Sequence, residues 1–90
     1  MKINFLHWDD ENIEHITLHG LSPVDVEDIC FGKHISFIGR QKRYILYGKA
    51  ENDLMLMVVL ERIHGDNFRP VTARVMTDKE KRIYRKRIGE

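Results

Sequence analysis

The spacing of apolar residues changes once along the chain. Before residue 33 they recur at helical intervals, first as Ile13 and Ile16, then as Val26, Ile29 and Cys30, the three- and four-residue steps of one helix face. From residue 34 onward they alternate or run together, in HISFI, RYILYGKA, LMLMVVLER and RPVTARVM, which is the period of strands. A short alternating stretch, KINFL at residues 2–6, predicts a small first strand.

Local chemistry sharpens these boundaries. Asp9 suits an N-cap, with Asp10 and Glu11 in the first turn where the helix dipole favours acids, and Gly20 suits the left-handed stop. Ser22 then Pro23 reads as N-cap and N1 of a second helix that ends at Gly32. Turn-forming residues at Gly39-Arg40-Gln41, Glu51-Asn52-Asp53 and His64-Gly65-Asp66-Asn67 predict a meander of antiparallel strands whose order in space follows the sequence. The unbroken LMLMVVL predicts a strand covered on both faces. In the last strand Val71, Ala73 and Val75 share one face and Thr72 and Arg74 the other, while Pro70, lacking an N–H, predicts an edge or a bulge. Thr77 and Glu80 form a capping box for a final helix containing Ile83 and Tyr84. The expectation is an α+β fold: one domain over residues 1–90, an antiparallel sheet with two N-terminal helices and one C-terminal helix.

Composition excludes several classes. With 42% apolar and 32% charged residues in 90, the chain matches a single globular domain. Its longest apolar run is far below the roughly 18 residues that span a bilayer. The start lacks the apolar core of a secretory signal and Cys30 is the one cysteine, so a cytoplasmic location without membrane partners is expected. Net charge is +1, yet residues 1–32 carry one Lys against seven acids, and the remainder fourteen Lys and Arg against seven. The basic half suits a polyanion, unless the acidic helices cover it. His15 and His19 are four apart on one helix face, but a zinc site needs third and fourth ligands at coherent spacing, so neither metal nor cofactor is expected.

The segments WDDENIEHITLHGLSPVDVEDIC, RYILYGKA, LMLMVVLER and PVTARVMTDKEKRIY, covering nearly the whole chain, resemble the BrnT family of type II toxin-antitoxin toxins. The most specific pieces are Trp8-Asp9, His19-Gly20 and the strand Thr72-Ala73-Arg74 running into a Glu-Arg-Tyr-type helix. Lys42 departs from the family pattern, where an acid is common, and the Trp8-to-His19 spacing is one residue short. The resemblance implies a RelE-like fold and a ribonuclease that halts translation until neutralised. Its implied partners are RNA and a BrnA-like ribbon-helix-helix antitoxin, with operator DNA bound only through that antitoxin.

RNA cleavage needs only an aligned 2′-hydroxyl, one proton taken, one given, and stabilisation of the added negative charge. Given the resemblance, Arg74 leads as phosphate clamp, because a guanidinium forks onto two oxygens and stays charged. Arg43 is a second clamp. His19 has a side chain suited to proton transfer near neutrality, and Tyr84 is a candidate proton donor. Lys49, Arg69, Arg82 and Arg85 are expected RNA contacts. The alternatives are a non-catalytic nucleic-acid or protein-binding module, and a degenerate toxin retained as co-repressor. A DNA-reading helix pair at HGLSP is disfavoured because VDVEDIC is acidic.

Overall fold

The computed structural model describes residues 1–89. Its elements are β1 (Phe5–Leu6), α1 (Asp10–Leu18), α2 (Pro23–Phe31), β2 (His34–Ile38), β3 (Tyr44–Lys49), β4 (Met55–His64), β5 (Asn67–Val75) and α3 (Asp78–Ile88), with a single 3₁₀ turn at Arg40–Lys42. The chain is α+β, and the expected caps are in place. Asp9, Ser22 and Thr77 each close a capping box, with Asn12, Asp25 and Glu80 as the reciprocal partners.

One sheet runs β1-β5-β4-β3-β2. The meander from β2 to β5 is antiparallel as the turns predict, but β1 lies parallel to β5 through Phe5–Asn67 and Leu6–Phe68. The sheet is therefore mixed rather than wholly antiparallel, and its spatial order departs from sequence order at β1. Nothing local to KINFL specifies a partner more than sixty residues away.

The β4 strand explains the layering, because its two faces are both apolar. Leu56, Val58 and Leu60 join the larger core with Ile16 of α1, Val26, Ile29 and Cys30 of α2, and Phe68 and Ala73 of β5. Met57 faces the other way, to Met76 and Tyr84, with Ile35, Ile45, Tyr47, Met55, Val59 and Ile88 around them. So α1 and α2 cover one face of the sheet, and α3 covers part of the other. Where α2 crosses β3, a Cβ on Gly48 would stand 2.9 Å from Ile29 Cγ2 and 3.2 Å from the Lys33 carbonyl. Gly48→Ala is expected to cost about 1–3 kcal/mol in urea unfolding, the range for overpacking a core.

The β5 strand carries the predicted irregularity. Val59 opposes Thr72 but Leu60 opposes Pro70, which leaves Val71 as a bulged extra residue. The bulge shifts the alternation, so Phe68 and Pro70 join Ala73 on the buried face; Val75, on that same face opposite Leu56, is 45% exposed at the strand's end. Of the expected Val71, Ala73 and Val75 face, Ala73 and Val75 stand together and Val71 is the bulged residue. Beyond β1, the edge carbonyls of β5 are taken up by α1. Asn12 Nδ2 donates to the Pro70 carbonyl at 3.0 Å, and His15 Nδ1 lies 3.3 Å from that of Val71. This closes an edge that would otherwise pair with another chain.

Candidate nucleic-acid interface

The register of β3, β4 and β5 sets side chains in rows on the α3 face. Tyr47, Met57 and Arg74 form one row, and Ile45, Val59 and Thr72 the next. The α3 helix closes the first row and leaves Ile45, Val59 and Thr72 half-buried. The open part is bounded by the β2–β3 connection, giving a concavity of about 500 Å³ lined by Gly39, Arg40, Gln41, Arg43, Ile45 and Val59.

That connection is unusually wound. The Gly39 N–H donates to the Arg43 carbonyl at 2.7 Å, and the Arg43 N–H to that of Arg40 at 3.1 Å. Closing this tightly puts Gln41 at φ 57° and Lys42 at φ 59°, both left-handed. Each such non-glycine residue costs roughly 1–2 kcal/mol. A Cβ on Gly39 would stand 2.8 Å from Ile45 Cδ1, so the connection lies directly on the aliphatic floor. The cations it presents, Arg40, Lys42 and Arg43, have no carboxylate within salt-bridge distance among the described residues.

The α3 helix adds to the same face. It carries Lys79, Lys81, Arg82, Arg85, Lys86 and Arg87 against Asp78 and Glu80. Arg87 sits 5.6 Å over the Phe37 ring, which meets Tyr47 edge-on at 5.0 Å, and Arg85 Nη2 lies 3.7 Å from Met55 Sδ. Arg82 and Arg85 are both exposed. Because the acidic helices α1 and α2 lie on the opposite face, the uneven charge along the chain becomes a polarity across the molecule.

Arg74 is placed differently from expectation. Its Nη1 and Nη2 donate to Glu80 Oε1 and Oε2 at 2.8 and 3.0 Å, and Nη1 also donates to the Val75 carbonyl at 3.1 Å. Glu80 meanwhile accepts from the Thr77 N–H at 2.8 Å and, at 3.5 Å, from the Tyr47 hydroxyl. The guanidinium thus fastens the first turn of α3 to the sheet, and its charge is largely answered. Burial and then the nearby Glu80 raise the Tyr47 pKa, so this hydroxyl keeps its proton. Arg74→Ala leaves Glu80, 15% exposed, without its partner. With Arg74 itself partly solvated, the expected loss is about 2 kcal/mol, read from urea unfolding.

Arg69 is likewise occupied. It reaches Asp9 at 2.9 Å, Glu11 at 3.3 Å and Glu61 at 3.5 Å, so this expected RNA contact is instead the hub that ties α1 to β5. Lys49 lies 3.7 Å from Asp53 with 45% of its side chain exposed. His19 is the exposed C-cap of α1, in the helical layer of the opposite face, and its backbone N–H donates to Ile16. Tyr84 is 3% exposed within the smaller core. Cys30 is buried, which pushes its thiol up to about 12. The structure therefore brings Arg43, Arg74 and Tyr47 to one face and leaves His19 and Tyr84 off its surface. Arg40 and Gln41 were missed by sequence reasoning because a turn of polar residues looks the same whether or not it walls a cavity.

Two carboxylates give a pH dependence. The Arg74 guanidinium holds Glu80 below the ordinary glutamate value, and the Asn12 N–H, then Arg69, hold Asp9 below that of aspartate. The unfolded chain takes up these protons first, so the stabilisation is complete above about pH 4.3 and is lost as pH falls below it. In urea unfolding at stepped pH, Glu80→Gln should flatten this acid limb; an unchanged limb would sink the assignment.

No protein-family model, curated protein or solved structure matches this chain. Among the described residues, no helix is long and apolar enough to cross a membrane.

Proposed function

We propose that the protein is a cytoplasmic ribonuclease toxin of the BrnT kind with a RelE-like fold, acting on RNA without a metal and neutralised by a BrnA-like antitoxin. The observation that carries the RNA reading is the basic α3 face, where Arg40 and Arg43, without ion pairs among the described residues, border a half-open aliphatic concavity. The resemblance of nearly the whole chain to the toxin family carries the rest.

In this reading a phosphodiester lies against Arg43, whose uncommitted guanidinium takes the clamp role first expected of Arg74. The RNA's own 2′-oxygen attacks phosphorus as its proton passes to solvent water, the P–O5′ bond breaks and the 5′-oxygen takes up a proton, and the products are a 2′,3′-cyclic phosphate and a 5′-hydroxyl. Arg43 stabilises the charge that builds on the non-bridging oxygens. Tyr47, held protonated, is a hydroxyl donor in the adjoining row; Glu80, bonded to Arg74, positions it.

A second reading is favoured by a specific observation. Arg74 is matched by Glu80, Tyr84 is buried and His19 belongs to the other layer, which is the arrangement of an RNA-binding module or degenerate toxin that acts as co-repressor. Purified protein incubated with RNA in excess chelator separates the two. The toxin reading expects new 5′-hydroxyl ends and cyclic phosphates; binding without new ends would move the assignment to the second.

A further inference from the structure

The β2–β3 connection spends two successive left-handed positions on Gln41 and Lys42, where glycine would be free of strain. Neither the turn nor the floor requires those side chains for folding, since Gln41 and Lys42 are exposed and only the backbone closes the turn. What the winding achieves is to set Arg40, Gln41 and Arg43 around one concavity whose floor is Ile45 and Val59.

We propose that this concavity is a purine nucleotide subsite. The proposal rests on the RNA reading above and deepens it by naming which part of the strand the cavity takes. Three features select the ligand. A volume of about 500 Å³ lies in the range of small-molecule sites and suits one nucleotide rather than a duplex. A floor of two aliphatic side chains favours the larger, flatter base, because the free energy of burial scales with the apolar area covered. The polar wall then matches purine edges: a glutamine amide sets donor and acceptor side by side, as adenine N6 and N7 require, and an arginine fork matches guanine O6 and N7. The arginine not engaged by the base is left for the adjoining phosphate, which is where charge complementarity places it.

The subsite gives the face a direction. A base seated on Ile45 and Val59 puts its adjoining phosphate by the Gly39–Arg43 connection, beside the arginine that clamps the phosphodiester in the reading above. Cleavage or binding therefore reads one purine beside the phosphate that Arg43 holds.

The test uses the full chain, isotopically labelled, titrated separately with the 3′-monophosphates of adenosine, guanosine, cytidine and uridine while amide resonances are followed. Saturable shifts centred on residues 39–45, with at least one purine bound about tenfold or more tightly than either pyrimidine, are expected. Gln41→Gly keeps the left-handed backbone and removes the amide, so it should retain or raise the melting temperature while the adenine preference falls to within about twofold of the pyrimidines. Shifts elsewhere, equal affinities for all four, or a preference untouched by Gln41→Gly would overturn the subsite. A trinucleotide with a central purine distinguishes RNA from a free nucleotide as the natural occupant: tighter binding than the monophosphate assigns the strand, equal binding assigns the free nucleotide and overturns the RNA part of the proposal. If purine monophosphates bind as described while RNA is neither bound nor cleaved, the subsite stands and the ribonuclease reading fails alone.

Discussion

Arg43→Ala is expected to reduce RNA cleavage about 100-fold or more while leaving the unfolding midpoint unchanged, the scale for losing one preorganised donor to a developing oxyanion. The two halves of this expectation come from the same geometry. The Arg43 guanidinium has no ion pair among the described residues, and its strand is anchored through the backbone, Ile45 and Leu46, so truncation removes charge without opening the core. Arg43→Lys keeps the charge but not the fork, and should fall between the two. Rates on a defined oligonucleotide, paired with urea unfolding of each variant, make the comparison. If Arg43→Ala cleaves at the wild-type rate while Arg74→Ala, still folded, is inactive, the clamp belongs to Arg74 after all.

Asn12→Ala is expected to have the largest effect on stability, about 3 kcal/mol, because it breaks three side-chain hydrogen bonds at once, one of them to a buried carbonyl. Asn12 is fully buried, and every polar atom of its side chain is used. Its Oδ1 accepts from the Asp9 N–H at 2.9 Å, and its Nδ2 donates to the His7 and Pro70 carbonyls at 2.9 and 3.0 Å. Alanine leaves the buried Pro70 carbonyl without this donor, at about 1–3 kcal/mol, and also loses the bonds to the partly exposed backbone of His7 and Asp9. Asn12→Asp has the right shape but no donor and brings a charge, so it should be no better than alanine. A loss under about 1 kcal/mol for Asn12→Ala in urea unfolding would show that the neighbouring carbonyls find other partners.

Asn12 also shows where sequence reading stops. At three residues from Asp9 it is legible as the third helical position, yet a polar residue there looks solvated, and Ile13 beside it looks like core. In the fold Asn12 is buried and Ile13 is 36% exposed, because α1 lies along the β5 edge and its inward side meets backbone carbonyls as well as side chains. The same holds for arginines. Arg43, Arg69 and Arg74 are equivalent in sequence, strand cations on apparently open faces; tertiary contacts neutralise Arg69 with three carboxylates and Arg74 with one, and leave Arg43 without an ion pair among the described residues.

The sequence by itself determined what depends on near neighbours. The three capping boxes, the left-handed stop at Gly20, the hairpins of the meander, the bulge announced by Pro70 and the two-sided burial of β4 all follow from residues within a few positions of one another. The tertiary structure alone decided the parallel docking of β1 on β5, the covering of that edge by α1, which cations are paired, and the cavity at Gly39–Arg43. The β1 and α1 docking on β5 and the Arg69 pairing with Asp9 and Glu11 join segments far apart in the chain, and the cavity brings Val59 to residues 39–45; local propensity carries no information about such meetings. They are fixed by register and by the requirement that every buried polar group find a partner.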